Sequence, residues 1–155
     1  MSGLTKTSVV VLVYLALSTL SPACSVYVPK ASPELDLGAK NFKPPSGKAR
    51  IYVLGHGGVI GTISVDGTLV GVIRGNMYVM ADVEPGRHVV VANSETDTTI
   101  SGGSLGSSTA TVEAVANAVH FVRLTRSWFH APLKVVSETE GRKAVLKARL
   151  GGRTE

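Results

Sequence analysis

Apolar side chains between residues 49 and 137 occur in short runs separated by turn residues, a pattern typical of β-strands. Three consecutive valines within 87–92 predict that this strand is buried on both faces. The pattern predicts a mainly β protein, a small antiparallel β-sandwich of about seven strands. The predicted strands are 49–54, 59–65, 69–73, 77–83, 87–92, 118–126 and 133–137, with a further strand start at 111–115.

Two turns stand out between these strands. Asp66 and Gly67 lie between two alternating apolar runs and predict a tight hairpin, in which both residues have positive φ. Glu84, Pro85 and Gly86 predict a type II turn, because proline presets φ and glycine accepts the left-handed position.

The segments that lack this strand pattern have distinct compositions. Ser, Thr and Gly make up eleven of the fourteen residues in 98–111, which predicts a mobile loop. In 138–150, acidic residues come first and basic residues follow, an order that suits a helix dipole, although Gly141 weakens that helix. The run Gly55 to Gly58 is expected to interrupt the first two strands.

The N-terminal segment has the features of an export signal. The run 9–20 is nearly all apolar, and as a helix it would cover about 18 Å of a hydrocarbon core of about 30 Å. Small residues at Ser21 and Ala23 then predict cleavage before Cys24, which is the only cysteine. Bacterial lipoprotein signals resemble this arrangement, and two or three acyl chains on Cys24 would anchor the protein stably to a membrane. Two alternatives are ordinary secretion with a free thiol and an uncleaved N-terminal anchor.

The expected domain organisation follows from this leader. Residues 1–23 form the signal peptide, and 24–48 form the lipidated cysteine with a proline-rich tether, which could extend to about 70 Å. The sandwich covers 49–150, and 151–155 form a tail. Because the residue after Cys24 is Ser25, the pattern resembles that of lipoproteins sent to the outer membrane, facing the periplasm or the surface. A soluble periplasmic protein is the alternative location.

Charge narrows the range of partners. The chain has 16 Lys and Arg against 11 Asp and Glu, a net charge of +5. Residues 49–130 contain five Arg and six acids, whereas 131–155 contain six basic residues and three acids. A nucleic-acid partner is not expected, since basic groups and stacking aromatics do not cluster on the predicted folded segment. The basic C-terminal segment is either a solvated helix face or a contact with anionic lipid headgroups or cell-wall polymers.

A family resemblance covers about residues 46–150. Three short strings are similar to the PEGA-type domain of bacterial envelope proteins. They are Ile63-Ser64-Val65-Asp66-Gly67, then Val70-Gly71, and then Pro85-Gly86-Arg87-His88-Val89. With the leader and the proline-rich spacer, the chain resembles an uncharacterised bacterial lipoprotein family with a PEGA-like core. The resemblance implies a prealbumin-like β-sandwich without catalytic residues or cofactors, and it implies that Asp66, Gly67, Pro85 and Gly86 make turns.

One motif suggests a serine hydrolase. Gly102 to Gly106 fits the pattern G-x-S-x-G, with Ser104 as the nucleophile. Glu113 and either His120 or His130 follow in a usable order. However, a nucleophile elbow needs a buried strand before the serine and a helix after it, and this sequence predicts neither.

The histidines give no metal-binding motif. His56, His88, His120 and His130 are far apart, and no pair has the spacing that places two ligands on one helix face. His56 is the most exposed candidate for a binding residue, whereas His88 is expected to be packed or hydrogen-bonded on its strand. The glycines 55–61 lack the Lys-Ser/Thr ending of a P-loop. No metal or other cofactor is expected.

Trp128, Phe129 and His130 form an aromatic group at a strand end, either as a plug of the sandwich or as an exposed contact. These observations favour a non-enzymatic, membrane-anchored envelope lipoprotein whose sandwich binds a protein partner or contributes to an envelope assembly. The first alternative is a carbohydrate or cell-wall binding module, in which Trp128, Tyr52 or Tyr78 would stack on sugar. The second alternative is a small serine hydrolase that uses Ser104.

Overall fold

A computed structural model describes residues 30–96, 104–127 and 130–152. These residues form nine strands and two helices. In chain order the elements are α1 (Pro33–Ala39), β1 (Ala49–His56), β2 (Val59–Val65), β3 (Thr68–Arg74), β4 (Met77–Val83), β5 (Gly86–Thr96), β6 (Ser104–Ala114), β7 (Val119–Thr125), β8 (Leu133–Val136), α2 (Glu138–Lys147) and β9 (Arg149–Leu150).

The strands form two sheets that pack face to face, so the prediction of a mainly β, sandwich-like fold is confirmed. One sheet has the order β8-β7-β1-β4-β9 and the other has the order β3-β2-β5-β6. Most neighbouring strands are antiparallel, but β1 runs parallel to β7, and β4 runs parallel to β9. The main core lies between the sheets and includes Ile51, Val79, Val122, Ile63 and Val90.

A second core covers the outer face of the five-stranded sheet. Tyr52, Tyr78 and Phe121 point to this side and are almost fully buried. Ala39 of α1 and Val145 of α2 pack against them. β1 is therefore buried on both faces, because one face meets the other sheet and the other face meets the helices.

The proline-rich segment differs from the prediction of an extended tether. Ser32 caps α1, and Asp36 then fixes this helix to the sheet. Asp36 Oδ1 accepts hydrogen bonds from the Tyr78 hydroxyl at 2.8 Å and the Leu150 N–H at 3.0 Å, and its Oδ2 accepts one from Lys40 at 2.7 Å. Burial opposes ionisation of Asp36, but these bonds outweigh it and lower its pKa. Because residues 33–39 belong to the folded domain, the predicted boundary at residue 49 is too late.

The hairpin between β2 and β3 has the predicted geometry. Asp66 has φ of +50° and Gly67 has φ of +79°, as a type I′ turn requires. The connection from β4 to β5 differs from the prediction. Gly86 is the first residue of β5 with φ of +138°, well above the value of about +80° that a type II turn requires.

Residues 104–111 of the polar segment predicted as a mobile loop are instead part of a strand, and 98–103 lie outside the described residues. β6 begins at Ser104 and pairs with β5 along its length. Backbone hydrogen bonds do not depend on apolar side chains, and β6 lies at the edge of its sheet, where polar and small residues are tolerated. The prediction that β5 is buried on both faces was wrong: Val90 on the core face is fully buried, but Val89 on the outer face of the sheet is 41% exposed.

The C-terminal helix forms despite Gly141, but it ends earlier than predicted. Ser137 caps α2, and the helix stops at Lys147. Arg149 and Leu150 form β9 instead, beside Met77 and Tyr78 of β4. Gly151 also differs from the predicted free tail, because it is buried and forms a bridge with Lys30.

Candidate functional site

A groove of about 660 Å³ runs along one flank of the sandwich, between the edges of the two sheets. β3 is the edge strand of one sheet, and β4 lies beside the short β9 in the other. Since β9 pairs only with Met77 and Tyr78, Val79 to Val83 have a paired strand on the β1 side alone within the described part of the chain.

Among the described residues, the backbone of β4 beyond Tyr78 has no strand partner on the side that faces this groove. The Tyr78 carbonyl accepts a hydrogen bond from the Gly151 N–H at 2.8 Å, which shows that it points away from β1. Because backbone directions repeat every second residue in a strand, the polar groups of Met80 and Asp82 point the same way. An added strand would find donors and acceptors at these two positions.

The walls of the groove are largely apolar. Val79 and Val70 belong to the main core or pack against it, so the groove opens onto that core. Leu69 of β3 is 45% exposed and Leu35 of α1 is 62% exposed, and both line the groove. Exposed leucines beside an open sheet edge are characteristic of a binding surface.

One end of the groove is acidic. Asp66, Asp82 and Glu84 line it, and no Lys or Arg is among the described lining residues, although Lys48 Nζ lies 3.1 Å from Glu84 Oε1 at the rim. Arg50 lies behind Asp82 and donates two hydrogen bonds to its carboxylate, at 2.6 Å and 2.9 Å. This pairing raises the pKa of Arg50 and holds the carboxylate in place at the rim.

His88 completes this acidic end. Its Nδ1 is 2.6 Å from Asp66 Oδ2, and its Nε2 is 2.7 Å from the Glu84 carbonyl oxygen. Both partners can only accept, so both bonds form when the imidazole carries two protons. Accordingly, the hydrogen bond with Asp66 raises the pKa of His88. The Val89 N–H and His88 together lower the pKa of Asp66. The prediction that His88 is hydrogen-bonded is confirmed.

The structure places the other predicted residues away from this groove or leaves them outside its description. Ala23, Cys24, Trp128 and Phe129 lie outside the described residues. His130 is exposed, and its carbonyl accepts a hydrogen bond from the Ser127 N–H at 2.9 Å. His56 is exposed at the end of β1 and lines a different pocket.

The proposed hydrolase residues do not converge. Ser104 begins β6 and Glu113 lies nine residues later on the same strand, which separates them by about 30 Å. Glu113 instead pairs with Arg87 at 3.8 Å. The other histidine candidate, His120, accepts a hydrogen bond from the Val115 N–H at 3.1 Å, and burial lowers its pKa.

The tyrosines proposed for sugar stacking are unsuitable, and that part of the carbohydrate hypothesis was wrong. Tyr52 and Tyr78 are fully buried beneath the helices. The Tyr52 hydroxyl donates to the Ala39 carbonyl at 2.6 Å. Within the described ranges there is no group of His, Cys, Asp and Glu arranged to hold a metal ion. No helix in those ranges is long and apolar enough to cross a membrane.

No protein-family model and no curated protein matches the sequence. The assignment of the groove residues to a binding site is therefore based only on their positions in the structure. The hydrophobic pattern did not indicate Leu35, Leu69 and Met80 as binding residues, because strand order determines which sheet edges are open. Alternation along 69–73 would place Leu69 on the same face as the buried Gly71 and Ile73. The register shift between β2 and β3 at Ile63 and Ser64 turns Leu69 outward instead.

Proposed function

We propose that this protein is a membrane-anchored envelope module whose groove binds an extended peptide segment of a protein partner. The observation that carries the proposal is the open edge of β4 from Met80 to Val83, beside the edge strand β3. An extended segment would add a strand to β4, and its backbone would bond with the groups at Met80 and Asp82.

The walls and charge of the groove define the partner segment. Alternate side chains of an added strand point to one face, so apolar residues at every second position would contact Leu69 and the core side chains beneath it. Asp66, Asp82 and Glu84 each have a cationic partner in the fold, but the Glu84 side chain is 72% exposed and can accept a further hydrogen bond from a basic residue at that end. The partner segment is therefore extended, apolar at alternate positions and basic at one end.

The membrane anchor in this proposal is a lipid on Cys24. It is supported by the leader-like run 9–20 and by the position of the only cysteine after small residues. The resemblance to PEGA-type envelope domains agrees with a binding role outside the cytoplasm. A carbohydrate-binding module is the alternative function, and Trp128 is the remaining candidate for stacking on sugar.

A labelled peptide tests the groove directly. The probe alternates valine and threonine and ends in a pair of arginines, and its binding is followed by fluorescence anisotropy. We expect saturable binding to the wild-type protein and a Kd at least about tenfold higher for Leu69→Lys, because the new charge repels the arginines and removes an apolar contact.

Leu146→Lys provides the matched control. Leu146 is 59% exposed on α2 and does not line the groove, so this variant carries the same change elsewhere. Its Kd should stay within about twofold of the wild-type value. Absence of peptide binding by the wild type, or equal weakening in both variants, would refute the proposal.

A further inference from the structure

A second pocket of about 610 Å³ lies where β1 ends, away from the acidic end of the groove. The turn between β1 and β2 forms one wall, and the turn between β3 and β4 forms another, with Gly75 and Asn76. The second half of α2 closes the third side with Lys143 and Lys147. Asn76 Nδ2 donates to the Lys147 carbonyl at 3.0 Å, which connects the second wall to the helix.

The pocket lining is cationic. It contains Arg123, Lys143 and Lys147, and its only carboxylate belongs to Glu140, which accepts a hydrogen bond from Arg123. Lys143 and Lys147 stand one helical turn apart and are both exposed. Neither lysine has a carboxylate partner among the residues that the structure describes. The two ammonium groups therefore give the pocket an uncompensated positive charge.

In the turn between β1 and β2, Gly57 and Gly58 present backbone without side chains to the pocket. β1 continues through His56, and the turn itself consists of Gly57 and Gly58, with φ of +75° and +68°. The predicted interruption is thus shorter than the run Gly55 to Gly58. A Cβ at Gly58 would lie 3.8 Å from Arg126 Nη1, so another guanidinium stands beside this turn.

We propose that this pocket binds a phosphate group between Lys143 and Lys147 on one side and the Gly57-Gly58 turn on the other. Phosphate fits this arrangement because it carries more than one acceptor oxygen and can meet ammonium groups and backbone at once. Arg123 stays on Glu140, His56 lines the pocket at the turn, and Arg126 lies beside Gly58 outside the lining. The site has no P-loop sequence and does not depend on the peptide groove.

The phosphate could come from a phospholipid headgroup or from a small soluble phosphate, and two water-soluble probes separate these sources. One probe is inorganic phosphate, and the other is glycerophosphoglycerol, the headgroup of phosphatidylglycerol without its acyl chains. Binding is followed by NMR through the amide resonances of Gly57 and Gly58, in isotope-labelled full-length protein held in a non-ionic detergent. We expect saturable shifts of these two resonances with at least one probe.

Two double variants test whether the site is specific. Lys143→Gln with Lys147→Gln should raise the Kd at least tenfold, whereas Lys43→Gln with Lys134→Gln should leave it within twofold. The control pair removes the same charge from two exposed lysines outside the pocket. Because all four side chains are exposed, unchanged circular dichroism should accompany both variants.

The outcomes are distinct. Tighter binding of glycerophosphoglycerol identifies a lipid headgroup, and tighter binding of inorganic phosphate identifies a soluble phosphate compound; both support the proposal. It is overturned if neither anion gives a saturable shift, or if the two variant pairs weaken binding equally, since only overall charge would then matter.

Discussion

His88 connects two turns that are distant in the sequence. It lies 22 residues after Asp66, and its imidazole bonds to the Asp66 carboxylate and to the Glu84 carbonyl. Asp66 also accepts a hydrogen bond from the Val89 N–H at 2.9 Å. Among the charged pairs at the acidic end of the groove, the pair of Asp66 and His88 is thus one whose state depends on pH.

The stability of the protein should depend on the protonation of His88. The folded state raises the pKa of His88 above its unfolded value of about 6.5, so its contribution is complete below pH 6.5 and is lost as the pH rises through the folded value. Asp66 has a lowered pKa, so its contribution is present above about pH 4 and is lost as the pH falls through its folded value.

We therefore expect the difference in free energy of unfolding between the wild type and His88→Gln to shrink as the pH rises from 6 to 9. At pH 6 the difference should be on the order of 1 kcal/mol, a modest value because half of the Asp66 side chain is exposed. Urea unfolding at several pH values measures it. A difference that is constant over this range would contradict the charged pair.

For single residues, the sequence predicts backbone conformation better than it predicts which distant side chains form hydrogen bonds. Asp66 and Gly67 were identified as a hairpin turn because the need for positive φ is a property of adjacent residues. The pairing of Asp66 with His88 could not be derived in the same way. It depends on β5 lying beside β2 in the sheet, which no short pattern specifies.

Among the elements, α2 shows how packing overrides helix propensity. Gly141 is buried on this helix, and a Cβ there would lie 2.1 Å from Cγ of the buried Phe121 ring. Glycine therefore permits the helix to approach β7 closely. From the sequence, Gly141 was expected only to weaken the helix, since a contact with Phe121, twenty residues earlier, cannot be derived from the sequence pattern.

Replacing Gly141 with alanine should destabilise the protein although alanine is the better helix former. The overlap with Phe121 should cost about 1–3 kcal/mol, which exceeds the gain in helix propensity of up to about 1 kcal/mol. Because the Phe121 ring is fully buried, the cost should lie toward the upper end of this range, and we expect a net loss of about 1–2 kcal/mol in the free energy of unfolding, measured by urea denaturation.

Gly38→Ala is the matched control for this prediction. Gly38 lies in α1, and a Cβ there would have no heavy atom within 4 Å. This variant should be as stable as the wild type or more stable by up to about 1 kcal/mol. If both substitutions stabilise the protein, close packing of α2 against Phe121 is not what requires glycine.

The strands show where hydrophobic patterns succeed and where they fail. β2, β3 and β4 were predicted almost to the residue, since their apolar side chains alternate or cluster between clear turns. Only the end of β6 was predicted, as a strand start at 111–115, because the small polar side chains of 104–110 do not show a strand that is held by backbone pairing with β5. The open edge of β4, and with it the groove, depends on strand order and could not be predicted.

For the whole molecule, the folding of 33–39 onto the sheet changes the distance between the domain and a lipid on Cys24. Ordered structure starts no later than Lys30, which bridges Gly151. The six Cα-to-Cα steps from Cys24 to Lys30 reach at most about 22 Å, compared with the 70 Å expected for a tether up to residue 48. If Cys24 carries the proposed lipid, the domain and its groove therefore lie close to the membrane surface.

The intact mass of membrane-extracted protein tests the anchor. We expect the mass of residues 24–155 plus acyl groups, and we expect the acyl mass to be absent from Cys24→Ser. A Ser25→Ala variant changes the neighbouring residue and should keep the acyl groups. A bare mass of 24–155 in the soluble fraction, or an uncleaved mass, would contradict lipidation at Cys24.

The bridge between Lys30 and Gly151 also places both ends of the described chain at one point. Ala31 and Gly151 themselves line the groove. In a longer polypeptide, a domain joined before Lys30 and a domain joined after Gly152 would therefore emerge side by side. Each of the two joined domains would then lie next to the groove, whichever of them comes first in the sequence. The three domains would not form a linear array with this one in the middle.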